Sequence, residues 1–304
     1  MKLLNINNEM GMLKTVVLGI ADDLGGIPKL SECYDPKSKE NVENGTFPIE
    51  KALCKELHEF YNILLKYDVE VLRPTQIKDL NQIFTRDIAF VIDNKIILSN
   101  IIEEREIEKT GISYILDSIN SKDILILNDK SRIEGGDVIV HNDFIFIGYS
   151  KENDFNKYKV SRTNIDAVND IKNLFSEKQI IAFELKKSDL DARENALHLD
   201  CCFQRIGKDM AIIYEGGFKN IADVDYLINL FGKDNLIKIS KEEMYNMNSN
   251  IFSISDNIIV SEKSFIRLNS ILRKRGFIVE EIDYSETAKM EGLLRCSTMP
   301  LARL

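Results

Sequence analysis

The chain repeats one alternation of apolar and polar positions. Two short apolar runs flank a polar turn in each copy, a pattern typical of a β-hairpin. The clear copies cover residues 84–100, 132–150, 198–215 and 250–263. Their turns fall at Asp93-Asn94, Asn142-Asp143, 207–209 and Asp256-Asn257. A degenerate first copy begins at residues 13–20.

A helical stretch and a short apolar strand follow each hairpin. In the clearest case Leu53, Leu57, Phe60 and Leu64 recur at helical spacing, and the sequence VEVLRP then reads as a strand. Gly276 is placed to end the last helix. We therefore predict five strand–strand–helix–strand units in series, within one domain over residues 1–304. Repeats of this length form solenoids or propellers, and five mixed units favour a closed ring.

Composition and charge exclude several classes of function. The 304 residues are 44% hydrophobic and 29% charged, with a net charge of -9, as in a globular protein. The acidic balance disfavours nucleic acid as a partner. The apolar runs are too short to span a membrane, and no signal peptide is predicted. Five cysteines without CxxC spacing indicate free thiols in a reducing cytoplasm.

Polar side chains open the first strand of each predicted unit. They are Arg86-Asp87, Glu134 and Asp137, His198 and Asp200, and residues 248–250. In a pseudo-symmetric ring, equivalent positions converge near the axis, so these side chains should meet at one end of it. Buried carboxylates are costly unless they are paired. The cluster therefore needs a cation, which could be a metal, a protein arginine or a cationic substrate.

Cys296 follows the last unit and leads back to the same place. A cysteine, a histidine and carboxylates suit either a zinc site or a thiol nucleophile with its acid/base. No ligand-spacing motif supports zinc, so we predict no metal and no cofactor. As a nucleophile, Cys296 would leave the carboxylates free to hold a planar cation through paired hydrogen bonds.

Four motifs in order, FTRD, EGGD, HLD and RCSTMP, resemble those of the guanidine-modifying enzymes. That superfamily comprises arginine deiminases, dimethylarginine dimethylaminohydrolases and amidinotransferases. The resemblance covers nearly the whole chain and implies an α/β fold, the five-bladed α/β propeller called the pentein. It also implies a small guanidino compound as the partner. A homodimer is compatible with the sequence.

The resemblance also implies a role for each motif residue. Cys296 would attack the guanidinium carbon and form a covalent thiouronium. His198 would act as general acid and base, held by Glu134. Asp87 and Asp200 would hold the guanidinium nitrogens. Arg86 and Asp137 would hold the substrate-contacting residues in place without contacting the substrate themselves.

Each assignment has a structural alternative. Asp87 could pair with Arg86 or cap a turn, the pair Gly135-Gly136 could mark a bulge, and His198 could be a structural strand histidine. Cys201 and Cys202 are expected to pack in the core. Because the motifs occur together and in order, we favour the catalytic interpretation over an inert pentein that only binds a partner.

The member of the superfamily is predicted from finer detail. The ending CSTMP and the aspartate of HLD favour a deiminase-type hydrolase of L-arginine or a close relative, with an amidinotransferase as second choice and a dimethylarginine hydrolase third. The segment SRTN makes Arg162 a candidate anchor for a substrate carboxylate, or else a surface residue that caps the helix at 164. The polar segment 22–47 is either a cover over the substrate or a surface loop.

Overall fold

The computed structural model describes residues 4–304 and contains five three-stranded sheets. The strands are β1 (Leu13–Leu18), β2 (Glu70–Leu72), β3 (Ala89–Ile92), β4 (Lys95–Leu98), β5 (Ile124–Ile126), β6 (Val138–His141), β7 (Phe144–Tyr149), β8 (Gln179–Glu184), β9 (Phe203–Ile206), β10 (Met210–Ile213), β11 (Leu236–Lys238), β12 (Phe252–Ser253), β13 (Ile258–Glu262), β14 (Ile278–Ile282) and β15 (Thr298–Arg303).

The helices lie between the strands and complete the units. The α-helices are α1 (Pro36–Glu43), α2 (Glu50–Lys66), α3 (Thr85–Ile88), α4 (Ser113–Asp117), α5 (Glu152–Lys157), α6 (Ile165–Leu174), α7 (Ile221–Phe231), α8 (Lys241–Tyr245), α9 (Ile266–Lys274) and α10 (Ser285–Ala288). The second unit carries a 3₁₀ helix, Glu103–Ile112, ahead of α4. None of the helices described in residues 4–304 is long and apolar enough to cross a membrane.

Every sheet has the same internal order. The middle strand pairs antiparallel with one neighbour and parallel with the other. In four of the sheets the antiparallel pair is a hairpin and the third strand follows a helical connection, as in β3-β4-β5 and β6-β7-β8. Asp93, Asn142 and Gly207 occupy the first turn position with φ between 51° and 54°. This left-handed backbone suits Asp, Asn and Gly in tight hairpins, so the sequence predicted these turns correctly.

The first sheet differs from the predicted serial arrangement. Strand β1 pairs in parallel with β2, but its antiparallel partner is β15 from the other end of the chain. The first unit therefore takes its first strand from residues 298–303. Cys296 stands directly before that strand, in the position that Asp87 holds before β3.

The predicted helices pack as their apolar spacing requires. Leu53, Leu57, Phe60 and Leu64 of α2 are buried in the largest core cluster. Helix α9 ends as predicted at Gly276, whose φ is +91°, and the Phe277 amide donates to the Leu272 carbonyl at 3.1 Å. The apolar faces of these helices pack against the sheets. The polar residues that precede the first strands lie together at one location.

Candidate active site

The predicted site residues lie on short helical turns that precede the first strands, and not on the strands themselves. Arg86 and Asp87 belong to α3, and the 3₁₀ turns Gly135–Asp137 and Leu199–Cys201 precede β6 and β9. The Gly135-Gly136 pair is therefore part of a 3₁₀ turn and not a bulge. Each turn makes only one or two local hydrogen bonds, which a hydrophobic pattern does not reveal.

Close packing brings these turns together. The Arg86 amide donates to the Cys296 carbonyl at 3.1 Å. A Cβ on Gly136 would lie 2.6 Å from His198 Nδ1, and one on Gly135 would lie 2.1 Å from the Arg86 carbonyl oxygen. The two glycines of EGGD thus allow neighbouring turns to approach at a distance that no other residue permits.

His198 and Glu134 form a buried pair. His198 Nε2 lies 2.8 Å from Glu134 Oε2, and His198 Nδ1 lies 3.7 Å from Asp87 Oδ1. Burial lowers the pKa of His198, but the carboxylates of Asp87, Glu134 and Asp137 more than offset burial and raise it to about 9. At neutral pH the ring is an imidazolium that can donate a proton.

Cys296 is a buried thiol held by two polar side chains. Asn250 Nδ2 lies 3.2 Å from Sγ, and the Cys296 amide donates to Asn250 Oδ1 at 3.1 Å. Sγ lies 3.6 Å from Asp200 Oδ2. Burial and the carboxylates of Asp200 and Asp87 raise the thiol pKa well above its usual range. In this state the sulfur is a neutral thiol, and an added cation would favour its thiolate.

The two predicted guanidinium-binding carboxylates have different surroundings. Asp87 Oδ2 accepts from Arg105 at 2.8 Å, whereas the buried Oδ1 has no hydrogen-bond partner. Asp200 Oδ2 accepts from Arg295 at 2.7 Å. The alternative pairing of Asp87 with Arg86 is wrong, because Arg86 Nη1 instead lies 3.9 Å from Glu9.

Two buried arginines, Arg162 and Arg105, form ion pairs with carboxylates of the site. Arg162 Nη1 donates to Glu134 Oε1 at 3.1 Å, and its Nη2 donates to the Tyr34 carbonyl at 3.0 Å. Arg162 is therefore not a surface residue, and Asn164 caps α6 itself. Arg105 binds Asp87 and Glu108. Sequence reasoning missed Arg105, because EEREIEK reads as a solvated charged stretch.

The predicted supporting residues, Asp137 and Arg86, contact groups that hold the turns of the site in place. The Asp137 carboxylate accepts from the Leu199 amide at 2.9 Å, which fixes the turn that carries His198. Arg86 contacts the Arg295 carbonyl and Thr298 Oγ1, each at 3.4 Å. Cys201 and Cys202 are buried as predicted, and all five cysteines are free.

A cavity of about 110 Å³ lies over these residues. Cys296, His198, Asp87, Arg105 and Arg162 line it from the sheets. The segment 22–47 supplies much of the opposite wall, including Leu24, Pro28, Cys33, Tyr34, Asp35, Ser38 and Phe47. The segment therefore lies against the site, where the cover interpretation placed it.

The carboxylates could in principle hold a metal. Ligand atoms of Asp87, Glu134 and His198 lie within 4.8 Å of one another. Arg105 and Arg162 already bind these carboxylates, and the imidazole of His198 is cationic. These cationic groups already balance much of the charge of the carboxylates, which disfavours a divalent cation.

Comparison with known proteins agrees with this geometry. The chain matches the family model described as N,N dimethylarginine dimethylhydrolase, eukaryotic, over residues 35–303. It is 35% identical over 296 residues to the uncharacterized protein YkgA of Bacillus subtilis (strain 168), which covers 97% of this chain and 94% of the relative. It is 27% identical over 212 residues to an arginine deiminase of Levilactobacillus brevis, over 58% of this chain and 48% of the deiminase.

Solved structures show the same fold at low sequence identity. The N-terminal domain of ArgZ, a cyanobacterial arginine dihydrolase, superposes with a TM-score of 0.77 at 17% identity, over 95% of this chain and 98% of that domain. SxtG, an amidinotransferase from Microseira wollei, superposes with a TM-score of 0.76 at 17% identity, over 99% of this chain and 97% of SxtG.

The predicted resemblance to guanidine-modifying enzymes is thereby confirmed, and with it, at the level of the family, the prediction of an enzyme that hydrolyses guanidino C–N bonds. The model match spans most of the chain, and YkgA matches nearly end to end. This chain belongs to the N,N-dimethylarginine dimethylhydrolase family of guanidine-modifying enzymes.

Proposed function

We propose that this protein is a guanidino-group hydrolase of the deiminase type that acts on L-arginine or a close relative. The observation that carries the proposal is the buried Asp87 Oδ1, a carboxylate oxygen that accepts no hydrogen bond and lies 3.7 Å from His198 Nδ1, in a cavity shared with the Cys296 thiol. An unpaired buried acceptor is costly. A guanidinium would satisfy it and would place its carbon beside Sγ.

In the first half-reaction the substrate cation activates the nucleophile. Its positive charge lowers the raised pKa of the Cys296 thiol, which releases its proton to solvent, and the thiolate attacks the guanidinium carbon. His198 donates its proton to the leaving nitrogen, the C–N bond breaks, and an amine or ammonia departs. Asp200, held by Arg295 beside Sγ, is the second carboxylate at the attacked carbon. A thiouronium on Cys296 remains.

In the second half-reaction water takes the place of the departed amine. The now neutral His198 accepts a proton from the water as it attacks the thiouronium carbon. The C–S bond then breaks, which regenerates the Cys296 thiolate and releases a ureido product. Glu134 keeps the imidazole oriented in both steps through its 2.8 Å contact with Nε2.

Arg162 is the proposed anchor for a substrate carboxylate. Its Nη2 bonds the Tyr34 carbonyl of the segment 22–47. A substrate carboxylate would replace that carbonyl with a stronger, charge-assisted partner. Binding at this end of the substrate would therefore rearrange the contact between Arg162 and the segment.

The family match favours a second candidate substrate. Its model describes a dimethylarginine hydrolase, so Nω,Nω-dimethyl-L-arginine belongs in the same assay. A methylated nitrogen offers fewer donors to Asp87 and Asp200, which is why L-arginine remains our first choice.

The test is a mass-resolved incubation with each substrate, with and without glycine or lysine as amine acceptor. Ammonia and citrulline from L-arginine alone support the deiminase, and dimethylamine supports the second candidate. Ornithine that appears only with an acceptor would instead establish an amidinotransferase. Cys296→Ser should abolish turnover with an unchanged thermal transition. A variant that retains even about a tenth of the wild-type rate would refute the nucleophile, since removing a nucleophile costs orders of magnitude.

We further propose that the five sheets are the blades of one closed propeller in a single catalytic domain. The pairing of β15 with β1 joins the two ends of the chain and supports closure. Cys296 then takes the fifth equivalent position around the axis.

A further inference from the structure

The proposed chemistry leaves one predicted group of polar residues unused. Residues 248–250 lie shortly before β12, as Asp87 lies before β3 and Asp200 before β9. All three side chains of this group are at most 4% exposed. Asn250 differs from the two aspartates because its side chain is a neutral amide, which offers an N–H donor as well as a carbonyl acceptor. The unit of β12 thus places a donor where the units of β3 and β9 place acceptors.

The side-chain carbonyl of Asn250 fixes the orientation of its amide group. Oδ1 accepts from the backbone amides of Arg295 and Cys296, each at 3.1 Å. An amide nitrogen cannot accept hydrogen bonds, so the reversed orientation would set the NH2 group against two N–H donors and is excluded. Nδ2 is therefore the atom that faces the sulfur, 3.2 Å from Cys296 Sγ. One side chain thus holds both the backbone and the sulfur of Cys296.

The other groups around the sulfur mostly oppose a negative charge on it. The charged or titratable ones are Asp200, Asp87, Arg295, Cys201, Tyr284 and, in the shared cavity, His198. Burial and the two carboxylates raise the pKa of the thiol, whereas the Leu293 backbone amide and Arg295 lower it. Arg295 already forms ion pairs with Glu9 and Asp200. Within residues 4–304, Asn250 is the one side chain that donates a hydrogen bond to Sγ.

We propose that Asn250 is a catalytic residue, which stabilises the Cys296 thiolate through its Nδ2–H in both half-reactions. This inference deepens the proposed function and rests on it through the assignment of Cys296 as the nucleophile. A hydrogen bond to a charged acceptor is about twice as strong as one between neutral groups. The donor therefore stabilises the ionised sulfur more than the neutral thiol, and so favours the reactive form.

The same donor serves the sulfur as attacking group and as leaving group. In the first half-reaction the Cys296 thiol releases its proton to solvent, and the Nδ2–H of Asn250 stabilises the thiolate until its electron pair forms the C–S bond. In the second half-reaction the C–S bond breaks, the electron pair returns to the sulfur, and the Nδ2–H bonds the thiolate again. Because two backbone amides hold Oδ1, the donor needs no rearrangement in either step.

The experiment measures the reactivity of the sulfur without any substrate. The protein is treated with iodoacetamide between about pH 6 and about pH 10, and alkylation of Cys296 is followed by peptide mass spectrometry, which separates it from the other free cysteines. Asn250→Asp keeps an oxygen for the two backbone amides and removes the donor. We expect its alkylation rate to fall at least about threefold on the rising limb. The pKa of the thiol should rise by about one unit or more, and the greater nucleophilicity of a less acidic thiolate offsets part of that loss.

Two further variants separate the donor from the added charge. Asn250→Ala removes the donor without adding a negative charge, and it should slow alkylation at least about threefold as well. Asn257→Asp is the matched control, because it makes the same substitution at the exposed turn of the same hairpin and keeps the acceptor for the Ser255 hydroxyl. Its alkylation rate should equal that of the wild-type protein. The near-isosteric Asn250→Asp should also keep the wild-type thermal transition.

Turnover supplies a second readout. With L-arginine, kcat of Asn250→Asp should fall at least about threefold while KM changes less than about twofold. Asn250 contacts the sulfur and is not among the described residues that line the cavity. Loss of its donor should therefore affect the chemical steps and leave substrate binding in place.

The outcomes distinguish this inference from the proposed function. Alkylation at the wild-type rate in both Asn250 variants would overturn the inference. Slower alkylation in Asn250→Asp alone would also overturn it, because the added charge then explains the effect. If both variants are slowed but no guanidine is turned over in a Cys296-dependent manner, the proposed function fails while the donor at the sulfur is still supported.

Discussion

Burial and neighbouring charge combine differently at Cys296 and His198, the two groups that would lose a proton in the first half-reaction. Both raise the pKa of the Cys296 thiol, since the neighbouring charges are carboxylates. For His198 they oppose each other, and the carboxylates prevail. The empty site therefore holds a neutral thiol beside an imidazolium, and the cation of the substrate is the group that would ionise the sulfur.

The protonation of His198 can be measured directly. We expect its imidazole resonances to titrate with a midpoint near the pKa of about 9, far above that of His141, whose pKa burial and Arg205 lower to about 4. Because the folded pKa is raised, the stabilisation from the charged ring is complete below the unfolded pKa of about 6.5 and is lost as pH rises through about 9.

Glu134→Gln supplies the contrast for this NMR titration. It removes one of the carboxylates that stabilise the imidazolium, so the His198 midpoint should fall by about one pH unit or more. Exposed Glu177→Gln is the control and should leave the midpoint unchanged. A midpoint near the ordinary histidine pKa in the wild-type protein would show that His198 is not held as an imidazolium ready to donate its proton.

Single residues show where sequence reasoning reaches its limit. Motifs placed Asp87, Glu134, His198 and Cys296 in one site, and the structure brings them together. Arg105 was not predicted, because its partners Asp87 and Glu134 lie 18 and 29 positions away in the chain. Whether a charged residue is solvated or buried against a distant partner is not encoded in its local pattern.

At the scale of elements, the hairpins and amphipathic helices were predicted and the short turns between them were not. Hairpins have turn residues and alternation, and α2 has a full apolar face. Helix α3 and the 3₁₀ turns have only three or four residues, all buried, so no periodicity can appear. These turns carry the site residues, which is why their geometry emerged only from the structure.

The segment 22–47 can be tested as a cover by limited proteolysis. Lys29 has a side chain that is 81% exposed, beside the cavity residues Pro28 and Glu32. With Cys296→Ser and saturating substrate, trypsin cleavage after Lys29 should slow at least about fivefold, because cleavage follows the population of the open segment. The exposed turn residue Lys130 is the internal control and should be cut at an unchanged rate.

An equal rate at Lys29 with and without substrate would contradict the cover. A rate that falls equally at Lys29 and Lys130 would indicate a global change in stability in place of a local closure.

At the scale of the whole molecule, a buried ionic network joins the beginning of the chain to the site. Arg295 donates to Glu9 at 3.0 Å, to Asp200 at 2.7 Å and to the Val138 carbonyl at 2.7 Å. All three charged residues are at most 4% exposed. The network fixes Asp200 beside Cys296, so the stability of the fold and the geometry of the site depend on the same ion pairs.

Removing Glu9 should destabilise the protein. Glu9→Gln leaves Arg295 with one fewer counter-charge, and we expect a loss of about 3–5 kcal/mol in the free energy of unfolding, measured by urea denaturation. Burial raises the pKa of Glu9, but Arg295 and Arg86 outweigh burial and lower it to about 2. Its stabilisation is therefore present above about pH 4.5 and is lost as pH falls through about 2.

The exposed Glu177→Gln is again the control, with an expected change within about 0.5 kcal/mol. A Glu9→Gln variant as stable as this control would mean that the Glu9–Arg295 pair contributes no net stability.

The sequence by itself determined the repeat, most of the strands and helices and which motif residues belong to one site, because these depend on local periodicity, turn residues and the order of motifs. Only the tertiary structure decided that β15 completes the first sheet, which arginines hold the carboxylates, and that the segment 22–47 lines the cavity over Cys296. Those features join residues up to about 290 positions apart. Such pairings follow from how the whole chain buries charge and apolar surface, and no local pattern records them.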